Sequence, residues 1–181
     1  MFGALRRWFI PRPPEAVANT YIALVAAARN PFFYSALKVP DTLDGRFELI
    51  VLHLFLLQHR LVSEKTSENE TFAQFLSEAF FADMDSSLRE LGVADTGVSH
   101  RIRKMGKAYH GRLQAYAAGL GDATGLRAAL ARNLYGTVAQ GDVSVLDRLA
   151  VYVERTAAAL AQTDTAIIRD ASYHWPDITA S

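Results

Sequence analysis

The stretch DGRFELIVLHLFLLQHRLV, Asp44 to Val62, is the one from which the fold class follows. Wound into a helix, its apolar residues surround the axis: Phe47, Ile50, Val51, Leu54, Leu56 and Leu57 leave no side polar. A helix that is hydrophobic all round is stable only when other elements enclose it. A bilayer does not do so here. The run from Leu49 to Leu57 is interrupted by His53 and bounded by Glu48 and Gln58, far short of the roughly 20 apolar residues that span a membrane. The remainder of the chain must therefore provide the surrounding helices.

The flanking sequence has the punctuation for that. Upstream, Pro13 and Pro14 open a helix that runs to about Arg29, where Asn30-Pro31 ends it. Phe32 to Leu37 is long enough for a short helical turn before Pro40. Downstream, Ser67-x-x-Glu70 reads as a capping box for a helix reaching Leu91, with Gly92 as its left-handed closing residue. Asp95 or Thr96 starts the next, to Ala118, closed by Gly119 and Gly121. Asp122 or Thr124 begins a shorter one to Tyr135, and Ser144-x-x-Asp147 is a second capping box, leading to about Gln162. No segment alternates as a half-buried strand does, and no repeat or linker divides the chain. The expectation is an all-α, single-domain bundle of about six to seven helices over residues 14–163. A basic, aromatic arm (1–13) precedes it, and an aperiodic tail (164–181) follows.

Composition narrows the function. Half of the 181 residues are hydrophobic, enough for one sizeable core. Nineteen basic residues offset nineteen acidic ones, so there is no overall attraction to DNA, and any electrostatic partner must be met locally. The absence of cysteine removes disulfides, thiolate metal sites and cysteine nucleophiles, and fits a reducing compartment. The arm MFGALRRWFIPRPP starts like a signal peptide, but its apolar stretch stops at Ile10-Pro11, too short for an h-region. Phe2, Leu5, Trp8 and Phe9 beside Arg6, Arg7 and Arg12 suit either a short interfacial anchor or an arm packed on the domain.

Catalytic patterns are missing. A carboxylate-bridged metal site in a bundle needs Glu-x-x-His, which does not occur, and His53 and His59 point about 120° apart on one helix. No phosphate-cradling glycine loop and no Gly-x-Ser-x-Gly elbow is present. No catalytic residue, metal or cofactor is expected. His53, enclosed by leucines, reads as a core histidine that donates to a backbone carbonyl. The rival functions are a helical binder of haem or another apolar small molecule, with His53 or His59 as axial ligand, and a metal-dependent bundle enzyme.

The marked segment runs from Asp83 to Arg112. At about 100° per residue, Phe72, Phe75, Leu76, Ala79 and Phe80 share one face, and Asp83 falls in its middle. A buried, unpaired carboxylate costs several kcal/mol, so Asp83 requires a partner. Arg112, at the border of the next helix's apolar stripe, is the first candidate if the two helices pack antiparallel. Asp85 and Phe81 point to solvent. On the following helix Ile102, Met105, Tyr109, Leu113 and Tyr116 form the apolar stripe, while His100, Arg103, Lys104, Lys107 and His110 crowd the opposite side without an acidic residue between His100 and Gln114. Such a row is ordinarily a solvated face, but its clustering gives a neutral protein a local positive field. Gly111, inside a helix at a cost of about 1 kcal/mol, suggests a close crossing.

These residues resemble a known family. Phe81-x-Asp83-Met84-Asp85-x-x-Leu88-Arg89-Glu90-x-Gly92-Val93-x-Asp95, Val98, the basic run, Met105 and Gly111-Arg112-x-x-Ala115-Tyr116 are similar to the core signature of the ubiquinol-cytochrome c chaperones. The similarity runs from about Tyr21 through Tyr152 and includes Asp44-Gly45-Arg46-Phe47-Glu48. It departs at His100, Tyr109 and His110, where lysine, phenylalanine and tyrosine are usual. The resemblance implies an assembly factor for the respiratory cytochrome bc complex that engages cytochrome b or its nascent chain. It further implies a small helical co-chaperone, and a ribosome or membrane surface as partners. With no transit peptide evident, a bacterial version is expected, cytoplasmic or peripheral on the cytoplasmic face of the inner membrane. For the client the candidates are Arg103, Lys104, Lys107, Phe81, Asp85, Phe32, Phe33 and Tyr34, with Asp83, Gly111 and Arg112 as architecture.

Overall fold

The computed structural model describes residues 14–136 and 142–179. Among these, every regular element is helical and there is no strand. The order is α1 (Glu15–Ala28), α2 (Pro31–Ser35), α3 (Leu43–Ser63), α4 (Ser67–Glu90), α5 (Asp95–Gly119), α6 (Ala123–Leu130), a π-helical turn (Ala131–Tyr135), α7 (Val143–Ala161) and α8 (Thr165–Arg169). The arm 1–13 lies outside the described residues.

The apolar helix is central, as its sequence requires. Every α3 residue from Phe47 to Gln58 is buried, and α1, α4, α5, α7, α8 and the π-helical turn all pack on it. α6 bridges α5 to α7. It approaches α5 so closely that a Cβ on Gly119 would stand 2.8 Å from the Leu126 Cα. The close crossing is therefore at Gly119. Gly111 is exposed with no heavy atom within 4 Å of its would-be Cβ, so the crossing expected there is not formed.

Both capping residues lie just upstream of the expected ones. Thr66, not Ser67, caps α4 by accepting from the Asn69 N–H at 3.3 Å, and Asp142 caps α7 by accepting from the Ser144 N–H at 3.1 Å. In each case the residue with extended backbone directly before the first turn takes the role.

The tail is built into the bundle. Arg60 donates to the Leu160 carbonyl at 2.8 Å and through its Nη2 to that of Thr163 at 2.8 Å, fixing the end of α7 on α3. Buried Asn69 donates to Glu64 at 2.9 Å and to Thr165 at 3.3 Å, and accepts from Arg169. Beyond α8 the Trp175 ring lies 4.9 Å from that of His53, centroid to centroid, and Ile178 is buried. These are isolated side-chain hydrogen bonds and ring contacts, which leave no periodicity in a sequence.

His53 is fully buried and held at both nitrogens. Its Nδ1 lies 2.7 Å from the Leu49 carbonyl, which can only accept, so Nδ1 carries the proton and Nε2 accepts from the Tyr152 hydroxyl at 2.9 Å. Burial pulls its pKa down to about 4, against a smaller opposing effect of the Leu49 hydrogen bond.

Candidate functional site

α4 and α5 form a hairpin whose inner side is the core and whose outer side is the cationic row. On α4 the buried residues are Asn69, Phe72, Ala73, Leu76, Phe80, Met84 and Leu88. The centre of that face passes through Phe80 and Met84, so Asp83 stands at its border, half-buried. Its partner is on α1: the Tyr21 hydroxyl donates to Asp83 Oδ2 at 2.8 Å. Burial, and then the Asp83 charge, push the Tyr21 hydroxyl well above the usual tyrosine range.

Arg112 does not reach Asp83. Its Nε and Nη2 both donate to the carboxylate of Glu48 on α3, a two-pronged ion pair whose acid is 6% and whose base is 24% exposed at the side chain. Burial pushes the Glu48 carboxyl above its usual range, and the guanidinium opposes that shift. No periodicity marks Glu48; its one signal in the sequence is a carboxylate one turn into a helix with no polar side.

Tyr109 joins the two helices to α3. Its hydroxyl donates to Gln58 Oε1 at 2.6 Å, and Gln58 in turn donates to the Ala73 carbonyl at 2.8 Å and to Ser77 at 2.7 Å. Phe81, expected in solvent, is half-buried. Its ring meets that of Tyr109 edge-on at 5.5 Å and that of Phe80 at 5.0 Å. At the hairpin end Arg89 bonds Asp85 at 2.6 Å and also Asp95, clipping the last turn of α4 to the first of α5. Leu88 and Val98 are each 1% exposed but do not belong to the main apolar cluster.

Of α5, only Val98, Tyr109, Tyr116 and Gly119 are buried. Ile102, Met105 and Leu113 pack partly on the core, as the stripe predicts. Arg103, Lys104 and Lys107 are exposed, as are His100 and His110, and none of the three cations enters an ion pair among the described residues.

The other aromatic candidates divide. Phe33 is 1% exposed, with its ring edge-on to His53 and Tyr152 at 5.5 Å each, and so is core and not surface. Phe32 is half-buried under the Arg148 guanidinium, 5.0 Å from its ring. Tyr34, half-buried, lines a surface cleft with Arg29, Pro31, Ser35, Asp41 and Arg46. No cluster of three histidine, aspartate or glutamate side chains able to hold a metal occurs among the described residues. Nor is any described helix long and apolar enough to cross a membrane.

A helical bundle whose buried Glu48, His53 and Gln58 are bonded inside the core, and whose cationic helix face makes no ion pair among the described residues, has the build of a binding module. The family it belongs to is specific: the chain is a member of the ubiquinol-cytochrome C chaperone family, which matches it over residues 35–175, from α2 through Trp175 of the tail. It is also similar to the Cbp3 homolog from Brucella abortus, known from a crystal structure, with 35% identity over 91% of each chain and a TM-score of 0.81. No curated protein matches the chain.

Proposed function

We propose that the chain is an assembly chaperone that holds newly made cytochrome b, or a partner assembly factor, during biogenesis of the respiratory cytochrome bc complex. Family membership supports the chaperone role. The observation that carries the client-binding reading is the outer face of α5, where Arg103, Lys104 and Lys107 stand exposed and without counter-ions among the described residues. Charge held in place on a rigid helix attracts acidic loops of a client and orients them before apolar contacts form. Asp85, Phe32 and Tyr34 remain surface candidates, whereas Phe33 does not. In this role the protein needs no catalytic step and works in the cytoplasm or peripherally at the cytoplasmic face of the inner membrane.

The haem-binding alternative loses its best ligand, because both His53 nitrogens are already bonded inside the core. His59, at the surface against Phe55, stands alone for that role.

The test is affinity purification of the tagged chain from cells assembling a cytochrome bc complex. Cytochrome b is expected with the parent. It is expected to be lost when Arg103→Glu, Lys104→Glu and Lys107→Glu are combined, with the melting temperature unchanged. Recovery of no complex precursor by the parent, together with normal complex levels after gene deletion, would sink the proposal. Undiminished recovery by the triple variant would move the client elsewhere on the surface.

A further inference from the structure

The cleft beside α2 is a second, separately built feature. It measures about 660 Å³ and is walled by Pro31 and the Tyr34 ring, with Arg29 from the end of α1, Arg46 from the first turn of α3, and Ser35. The loop that carries Asp41 into it is held by a steric constraint. At Gly45 a Cβ would stand 2.0 Å from the Pro40 carbonyl oxygen, so only glycine lets the 40–42 loop fold onto α3. The folded loop places Asp41 against Arg46, which donates to it through Nε at 2.7 Å.

That contact shows what the cleft accepts. A carboxylate already sits on Arg46 through Nε, the Nη groups make no ion pair, and Arg29 enters no ion pair among the described residues. Arg29, Arg46 and Asp41 all act on the Tyr34 hydroxyl electrostatically, which places the four groups around one space. Two guanidiniums, a phenol and a serine hydroxyl supply donors in excess of acceptors, the arrangement that recognises a carboxylate. The space exceeds what a lone ion fills and is of the size that takes a short stretch of chain. Its apolar walls favour peptide over a hydrated anion.

We propose that this cleft reads a carboxylate on a bound polypeptide, with Arg29 and Arg46 gripping it and Asp41 as the internal competitor it displaces. The inference rests on the client-binding reading only for the source of that polypeptide. The site lies on α1, α2 and α3, apart from the α5 face, and its test uses no cytochrome b, so either reading fails alone.

The test is an amide-detected NMR titration of the full chain. The probe is an acetylated, amide-capped peptide Ala-Leu-Glu-Leu-Ala, with its glutamine analogue as control and the same peptide lacking glutamate but bearing a free C-terminus as a third arm. The glutamate or free-carboxylate peptide is expected to shift the amides of residues 29–35, and the arm that binds tighter names the source. Arg29→Ala should weaken binding about tenfold, the loss of one charge-assisted bond, without changing the melting temperature. Asp41→Asn should strengthen binding severalfold by freeing Arg46, an effect that a merely solvated cleft does not show. Equal binding of the glutamine analogue, parent affinity in Arg29→Ala, or release of the peptide by excess inorganic phosphate would overturn the proposal.

Discussion

Replacing Arg112 by alanine removes the one cation bonded to Glu48 among the described residues and leaves a carboxylate with 6% side-chain exposure inside the bundle. Breaking a buried pair from one side costs about 3–5 kcal/mol. For a domain of this size that is a fall in melting temperature on the order of 10 °C. The loss should depend on pH in a particular direction. Burial already holds the folded-state Glu48 pKa above its usual value, with Arg112 opposing. Without Arg112 the folded pKa climbs further above the unfolded one. A group with a raised folded pKa contributes stability that is complete below the unfolded pKa and is lost as pH rises through the folded pKa. The variant should therefore be nearly as stable as its parent in mild acid and fall behind it toward neutral and alkaline pH. Urea denaturation of parent and variant across that range measures the difference directly. A deficit under about 1 kcal/mol at neutral pH, or one that does not shrink in acid, would refute the pairing. Glu48→Gln combined with Arg112→Met should recover most of the loss, since the buried charge and its partner then vanish together.

Four further outcomes are expected. His53 has a folded pKa near 4 against an unfolded value of about 6.5, so its contribution is complete above the unfolded value and is lost as pH falls through that window. At 1.36 kcal/mol per pH unit the loss is roughly 3 kcal/mol, and stability that stays flat in denaturant titrations from pH 7 to 4 would contradict it. Asp83→Ala should cost about 1–2 kcal/mol by stranding the Tyr21 hydroxyl, whereas Asp85→Ala, on an exposed pair, should cost below about 0.5 kcal/mol; equal thermal shifts would refute the distinction. Gly111→Ala should stabilise by up to about 1 kcal/mol, because open space surrounds it. Gly119→Ala should destabilise by about 1–3 kcal/mol, because Leu126 backbone fills the place of its Cβ; thermal melts that reverse the order would reject the α5–α6 contact.

The helices were legible because their signals are local. Leucines all round α3, prolines at the start of α1 and glycines after α4 and α5 act within a turn or two of themselves. Pairing between helices was not. Asp83 can be satisfied by a cationic guanidinium or by a neutral phenol, and only the approach of α1 selects Tyr21. The Arg112–Glu48 pair is hidden in the sequence, where Arg112 points to Asp83, because a single glutamate on an apolar helix carries no periodic mark. The two glycines of α5 read alike in sequence, and three-dimensional proximity alone separates the exposed Gly111 from the packed Gly119. Phe33 and Phe32, adjacent in the chain, read as one aromatic patch in sequence, and only the short helix α2 turns the first inward. The outward row Arg103, Lys104 and Lys107 was legible because exposure on a long amphipathic helix is the one property its spacing does report.

Leu88 and Val98, each buried but outside the main apolar cluster, bear on how the molecule opens. From Val98 to Tyr109 no intervening residue of α5 is buried, and the hairpin end is tied by Arg89 to two carboxylates that water and salt weaken. Stability is not uniform across a structure, and a segment with few buried apolar contacts opens on its own at a fraction of the global free energy. The amides of residues 85–101 should exchange with solvent well before those of α3. The cationic row at 103–107 begins directly beyond this segment, on the stretch of α5 that Ile102 and Met105 pack against the core, so the hairpin end can open and close beside it without the bundle coming apart.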